Sequence, residues 1–139
     1  LYGRAHPGSV LKAKEKAMEI LDLVGLGERA EAPADKLTIA ERRRLQLART
    51  LASNPRIILL DEVVAGLNPT ETIEFIGLIN RIRSQLRITI FMIEHVMKIV
   101  MEIADRIMVL HFGEKIADGR PADIVSNQQV IEAYLGRVS

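Results

Sequence analysis

Apolar residues along the chain follow a helical period first and then alternate between short continuous runs and helical stretches. From Val10 to Val24 they recur at Leu11, Ala17, Met18, Leu21 and Val24, with Lys12, Lys14, Glu15 and Glu19 mostly on the other face. That spacing predicts an amphipathic helix, ended by Gly25 and Gly27. The start, Leu1 to Ser9, carries Gly3, Pro7 and Gly8 and is expected to be irregular. A loop through Pro33 leads to Thr38, which with Glu41 makes the T-x-x-E pattern of a capping box. The helix it opens is expected to turn Leu45, Ala48, Leu51 and Ala52 inward and to stop at Asn54-Pro55.

The pattern then changes. Ile57 to Leu60 is a continuous apolar run with β-branched residues, the mark of a buried strand. Asn68-Pro69-Thr70-Glu71 supplies a helix start, with Asn as cap, Pro at the first position and an acid in the first turn. That helix is expected to run to about Ser84. Ile88 to Ile93 predicts a second buried strand, followed by Glu94-His95 and a short amphipathic helix through Met97, Val100, Met101 and Ala104. Arg106 to Leu110 predicts a third strand, and Gly113-Glu114 a hairpin turn into a short strand from Lys115 to Ala117. Two small helices close the chain, one opening at Pro121 and one ending at Tyr134-Leu135-Gly136. Strands alternating with helices imply an α/β fold, a parallel sheet with crossover connections. There is no internal repeat and no low-complexity tract, and the one sub-boundary falls near Pro55, where a helical part meets the α/β part.

Composition narrows this picture only a little. At 139 residues the chain suits one domain of ordinary size. A net charge of +1 gives no argument for a nucleic-acid or membrane-surface protein. The absence of Cys excludes disulfides and thiolate metal sites. No apolar run approaches the roughly 20 residues of a membrane span, and no signal-peptide pattern opens the chain. The first residue is Leu1 rather than Met, as expected of a piece of something longer.

The candidate chemistry begins with Asp61-Glu62, directly after Leu60. Buried carboxylates are costly, so the pair is expected at the strand's exposed end. In open α/β sheets ligands bind at the carboxyl ends of parallel strands. Two readings are open from the residues alone. The pair is two solvated acids in a loop, or it serves phosphate chemistry. In the second reading one carboxylate holds Mg²⁺ through water and the other polarises a hydrolytic water. Adjacent residues at a strand end point to different sides and can supply both. A transition-metal set of Asp61, Glu94 and His95 is thin, with one His and no H-x-x-x-H spacing. Arg42-Arg43-Arg44 fits a solvated helix face better than a nucleic-acid contact.

The surrounding residues add a resemblance. Leu37-Thr38-Ile39-Ala40-Glu41 opens a helix running through Leu51-Ala52, Ile57 to Leu60 lead into Asp61-Glu62, Ala65-Gly66-Leu67-Asn68-Pro69 follow, and Glu94-His95 come after the next strand. At these positions the chain resembles the ATP-binding subunit of ABC transporters, with the Walker B strand, D-loop and switch histidine in order and Thr38 to Glu41 in the place of the signature. The resemblance covers nearly the whole chain, as the C-terminal half of such a subunit. It implies the C-terminal part of a P-loop NTPase domain, with residues 1–55 from the helical subdomain and 56–139 from the ATPase core. By the same resemblance Asp61 would hold the hydration shell of Mg²⁺, and Glu62 would be the general base. His95 would sense the γ-phosphate of ATP, and Asn68 would lie at a dimer interface while also serving as an N-cap.

The signature position departs from the family pattern Leu-Ser-Gly-Gly-Gln. Thr38 keeps a hydroxyl, but Ile39 and Ala40 replace both glycines, and a plain capping box accounts for Thr38 and Glu41. The phosphate contact made there in trans is expected to be weakened. The AGLNP run, Glu94-His95-Val96-Met97 and the ending Val130-Ile131-Glu132-Ala133-Tyr134-Leu135-Gly136 look like the branched-chain amino-acid uptake type. Urea-uptake and lipopolysaccharide-export ATPases share part of this pattern. No G-x-x-x-x-G-K-[ST] occurs, so the chain alone is expected to be inactive and to bind ATP weakly or not at all. In a complete subunit the resemblance implies ATP and Mg²⁺, a second ATP-binding subunit, transmembrane permease subunits, no nucleic acid, and a place at the inner face of the cell membrane. Without flanking strands, an open edge is expected to make the chain self-associate. Two other functions compete: a non-hydrolysing ABC-like interaction module, and an ABC ATPase acting on nucleic acid.

Overall fold

The computed structural model describes residues 7–135. The chain divides into two compact units, Leu1–Ile93 and Glu94–Ser139. Pro55, near which the helical part was expected to meet the α/β part, lies inside the first of these.

The first unit opens with α1 (Pro7–Leu23), so Pro7, Gly8 and Ser9 are helical rather than irregular. Pro is compatible with the first turn of a helix, which leaves no local reason to break the chain here. Residues 1–6 lie outside the described residues. The helix ends in a Schellman motif: Leu26 N–H donates to the Leu21 carbonyl at 2.7 Å and Gly25 N–H to the Asp22 carbonyl at 3.0 Å. Gly25 sits at φ +75, where an added Cβ would meet the Arg44 guanidinium at 3.1 Å.

The next helix, α2 (Ile39–Ala52), starts from the expected box: Thr38 Oγ1 accepts the Glu41 N–H and Glu41 accepts the Thr38 N–H. Its buried positions are Leu47, Ala48 and Leu51, whereas Ala52 is exposed and Leu45 only half-buried. The inward face is therefore rotated toward Leu47 from the one expected. β1 (Ile57–Asp61), α3 (Pro69–Leu86) and β2 (Thr89–Ile93) follow. α3 has a second complete capping box, between Asn68 and Glu71. It buries Phe75, Ile76, Leu78, Ile79 and Ile82, the stripe that a 3.6-residue period makes.

β1 and β2 pair in parallel, from Ile57↔Thr89 to Asp61↔Ile93, so their carboxyl ends share one edge of the sheet. The strands are not buried on both faces as the apolar runs implied. Ile58 and Leu60 are buried, but Leu59 is 72 % exposed and its register partner Phe91 49 %. Side chains alternate across a strand, and one face of this pair is left uncovered.

The second unit holds α4 (Met97–Ile103), β3 (Ile107–His111), β4 (Glu114–Gly119), α5 (Pro121–Val125) and α6 (Gln128–Leu135). Its core is Ile107, Ala117, Ile124 and Val130, with Met97, Val100 and Met101 packed against it. β3 does not extend the parallel pair. It forms an antiparallel sheet of its own with β4. The turn is Phe112-Gly113, one residue earlier than expected, with both residues at positive φ as a two-residue type I′ hairpin requires. That tight local closure gives β3 a partner next to it in sequence, and β4 runs on to Gly119. Among the described residues no helix is long and apolar enough to cross a membrane.

Candidate functional site

Asp61 is the last residue of β1, and Glu62 leaves the strand in the left-handed region at φ 44. Both are exposed, at the carboxyl edge of the parallel pair. Glu62 N–H donates to the Ile93 carbonyl at 3.0 Å, which extends the ladder one residue past the strand, and the Glu62 carbonyl accepts from Ala65 N–H at 3.1 Å. The chain thus turns sharply at Glu62, directly after the strand end. A hard cation binds carboxylate oxygens, and an exposed strand-end acid such as Asp61 fits that chemistry. Among the described residues no cluster of three or more His, Asp or Glu could hold a metal ion by itself.

The loop after Glu62 leads through Gly66, at φ +82, to the Asn68 cap, whose Oδ1 accepts the Glu71 N–H at 2.9 Å. A Cβ added to Gly66 would lie 3.9 Å from Ile39 Cγ2. The fold therefore brings the loop containing Asn68 beside the first turn of α2, where Thr38, Ile39, Ala40 and Glu41 lie. At that helix start two N–H groups are taken: Thr38 N–H by Glu41 Oε2 at 2.8 Å, and Glu41 N–H by Thr38 Oγ1 at 3.2 Å. Ile39 and Ala40 occupy the first turn, whose N–H groups have no intrahelical acceptor. Glu41 is also paired with Arg29 at 3.1 Å. The Thr38 N–H bond first, and then the Arg29 charge, hold its carboxyl below the ordinary range. An ionised carboxylate thus stands at the helix start, directed back onto its own cap.

Sequence patterning missed what the arginine run does. Arg43 donates to the Ala65 carbonyl at 3.5 Å, inside the loop before Asn68. Arg44 donates to the Val24 carbonyl at 3.1 Å and pairs with Glu74 at 3.1 Å. Two of the three arginines thus tie α2 to its neighbours. No local signal marks those partners, which lie 20 to 30 residues away in sequence.

His95 belongs to the second unit and is exposed. Its N–H donates to Glu94 Oε2 at 3.3 Å, and its carbonyl accepts the Tyr134 hydroxyl at 2.8 Å. The Glu94 side chain is fully buried, and its Oε1 meets no hydrogen-bond donor among the described residues. Tyr134 is a second residue that motif reading did not single out for the site.

Residues 4–65 match the family model described as ABC transporter, and residues 114–138 the one described as branched-chain amino acid ATP-binding cassette transporter. The chain is 46% identical over 125 residues to a high-affinity branched-chain amino acid transport ATP-binding protein, BraF, of Pseudomonas aeruginosa, covering 90% of this chain and 49% of that one. It is 45% identical to the corresponding protein LivG of Escherichia coli over the same shares. Among solved structures, the ADP conformation of MJ1267, an ATP-binding cassette of an ABC transporter, superposes with a TM-score of 0.81 at 26% identity. That match covers 99% of this chain and 53% of the other. The chain spans about half the length of these relatives. Its fold is that of an ABC-type P-loop ATPase domain, and the chain belongs to the ATP-binding subunits of ABC transporters. Within them it matches the C-terminal region of the branched-chain amino-acid type.

Proposed function

We propose that this chain is the C-terminal half of an ATP-hydrolysing subunit that powers import of branched-chain amino acids. The observation that carries the proposal is the exposed Asp61-Glu62 pair at the carboxyl edge of a parallel sheet, in a chain 46% identical to a branched-chain amino acid transport ATP-binding protein. Mg²⁺, when bound, would neutralise phosphate charge, and Asp61 would hold it through its water shell. Glu62 would take a proton from the attacking water, a role worth on the order of 10²–10⁴ in rate. His95 would sense the γ-phosphate. Ile39 and Ala40 would offer N–H groups to the nucleotide of a second subunit, with Thr38 and Glu41 framing them, and Asn68 would lie at that interface. Residues 1–55 would belong to the helical subdomain and 56–139 to the ATPase core. Permease subunits would be the membrane partners, at the inner face of the cell membrane.

The chain by itself has no Gly-rich phosphate loop or its Lys. Asp61 and Glu62 repel a triphosphate without them, so the isolated chain is expected to bind ATP weakly or not at all. Micromolar affinity in a calorimetric titration contradicts that. The function is tested in a full-length subunit carrying this chain as its C-terminal half. Magnesium-dependent ATP hydrolysis is expected, together with its loss in Glu62→Gln. A full-length subunit that binds ATP yet never hydrolyses it, with or without its partners, supports a non-hydrolysing interaction module instead.

A further inference from the structure

We propose that Tyr134 is a positioning residue for His95: its hydroxyl fixes the backbone from which the His95 imidazole projects. The proposal rests on the reading of His95 as the γ-phosphate sensor and deepens it. It begins with the chain on either side of His95. α4 starts immediately after it, yet Val96, the N-cap, makes no side-chain capping bond. The Val96 carbonyl accepts from Ile99 N–H at 3.0 Å and Val100 N–H at 3.2 Å, which fixes the chain from Val96 onward. On the other side, the His95 N–H donates to the carboxylate of its neighbour Glu94 at 3.3 Å.

The Tyr134 bond to the His95 carbonyl, at 2.8 Å, spans 39 positions of the chain. Its far end is firmly seated. Asn127 caps α6, with Oδ1 accepting the Val130 N–H at 3.2 Å and its carbonyl accepting the Ile131 N–H at 3.0 Å. Val130 is buried in the core of the second unit with Ile107, Ala117 and Ile124. Tyr134 lies one turn beyond Val130 on the same helix face, four residues on. The core thus fixes α6, α6 directs the hydroxyl, and the hydroxyl holds the His95 carbonyl. Tyr134 is 52% exposed, so it is not part of the buried core. A hydroxyl so placed is well served by water, and its choice of this carbonyl selects one geometry of the loop. Tyr134 also lies within residues 114–138, the part matching the branched-chain family model. On this account, the C-terminal segment of this chain carries a brace for the sensor.

The test uses the full-length subunit. Tyr134→Phe removes only the hydroxyl and is expected to lower kcat about two- to tenfold with KM for ATP unchanged. In a His95→Ala background it is expected to cause no further loss, because the brace then has nothing to position. The 13C resonance of the His95 carbonyl is expected to move on Tyr134→Phe, which reads the bond directly even if that variant melts early. A wild-type kcat in Tyr134→Phe, a loss that adds in full to that of His95→Ala, or an unmoved carbonyl resonance overturns the proposal. His95→Ala with wild-type kcat is a separate outcome: it removes the sensor reading itself, and the brace with it.

Discussion

Glu62 donates its N–H to the Ile93 carbonyl at 3.0 Å while sitting at φ 44, so the residue that ends the β1–β2 ladder also reverses the chain. The bond keeps the backbone in the sheet as far as the amide. The left-handed φ then takes the backbone out of the extended conformation of β1. An L-residue pays about 1–2 kcal/mol for that conformation. A β-branched residue is worse suited to it than Glu, and Gly is indifferent. In urea unfolding, Glu62→Val is therefore expected to destabilise the chain by about 1–2 kcal/mol relative to Glu62→Gly. Equal stability of the two variants would show that the turn relaxes readily and carries no fixed direction for the carboxylate.

The start of α2 responds to acid through Glu41. Its carboxyl is held below the ordinary 4.5, first by the Thr38 N–H bond and then by Arg29. Asp118, below its ordinary 3.8 first through the Arg106 hydrogen bond, behaves likewise in the second unit. A lowered folded value means that the stabilisation is fully present above the ordinary value and is lost as pH falls through the lowered one. Glu41→Gln keeps an acceptor for the Thr38 N–H and removes only the charge. Its melting temperature is expected below that of the unaltered chain near neutral pH, with the gap closing as pH falls below the ordinary carboxylate value of 4.5. A gap that stays constant over that range would contradict the ion-pair account.

The parts of this fold that were legible in the sequence are those decided within a few residues. Thr38 with Glu41, and Asn68 with Glu71, marked two helix starts because capping is a local exchange of hydrogen bonds. The acids after Leu60 marked the exposed end of a strand because an apolar run must stop where carboxylates reach water. The parts that were not legible depend on what packs where. An all-apolar run could not say that Leu59 and Phe91 would lack a covering layer. Nor could it say that β3 would turn back on β4 rather than join β1 and β2. The inward face of α2 takes Leu47 rather than Leu45 and Ala52, because that face is set by α1 and α3, the helices it packs against. The tie from Tyr134 to His95 had no signature, since nothing between them in sequence encodes it.

The uncovered face of the β1–β2 pair has a consequence in solution. Ile57, Leu59, Phe91 and Ile93 form an apolar patch on adjacent parallel strands, and a two-stranded sheet has unpaired edges. The chain alone is therefore expected to self-associate through this sheet as its concentration rises. Leu59→Lys places a charge at the most exposed of the four positions and is expected to shift sedimentation toward the monomer. Because Leu59 is not buried, the melting temperature should scarcely change. A monodisperse monomer of the unaltered chain at high concentration would contradict this.

The first turn of α2 sets the last prediction. Two features there oppose a phosphate. Ile39 carries a β-branched side chain over the helix start, with its Cγ2 close to the Gly66 loop, and Glu41 keeps a negative charge beside the N–H groups a phosphate would use. A helix N-terminus favours anions through its dipole and its N–H groups, and each of these features subtracts from that. Replacing Ile39 and Ala40 with Gly opens the approach. The helix cost is about 1 kcal/mol per Gly at an interior position and smaller in the first turn, where fewer bonds depend on each residue. Glu41→Gln then removes the charge and keeps the acceptor for the Thr38 N–H. In a full-length subunit, the two glycines are expected to raise ATP hydrolysis by about tenfold, the effect of one added charge-assisted hydrogen bond of about 1.5 kcal/mol. Glu41→Gln is expected to add a further gain that shrinks as salt is raised, since screening already weakens an exposed charge. An unchanged rate in the glycine variant would mean that Thr38 to Glu41 act only as a helix cap and take no part in holding the nucleotide.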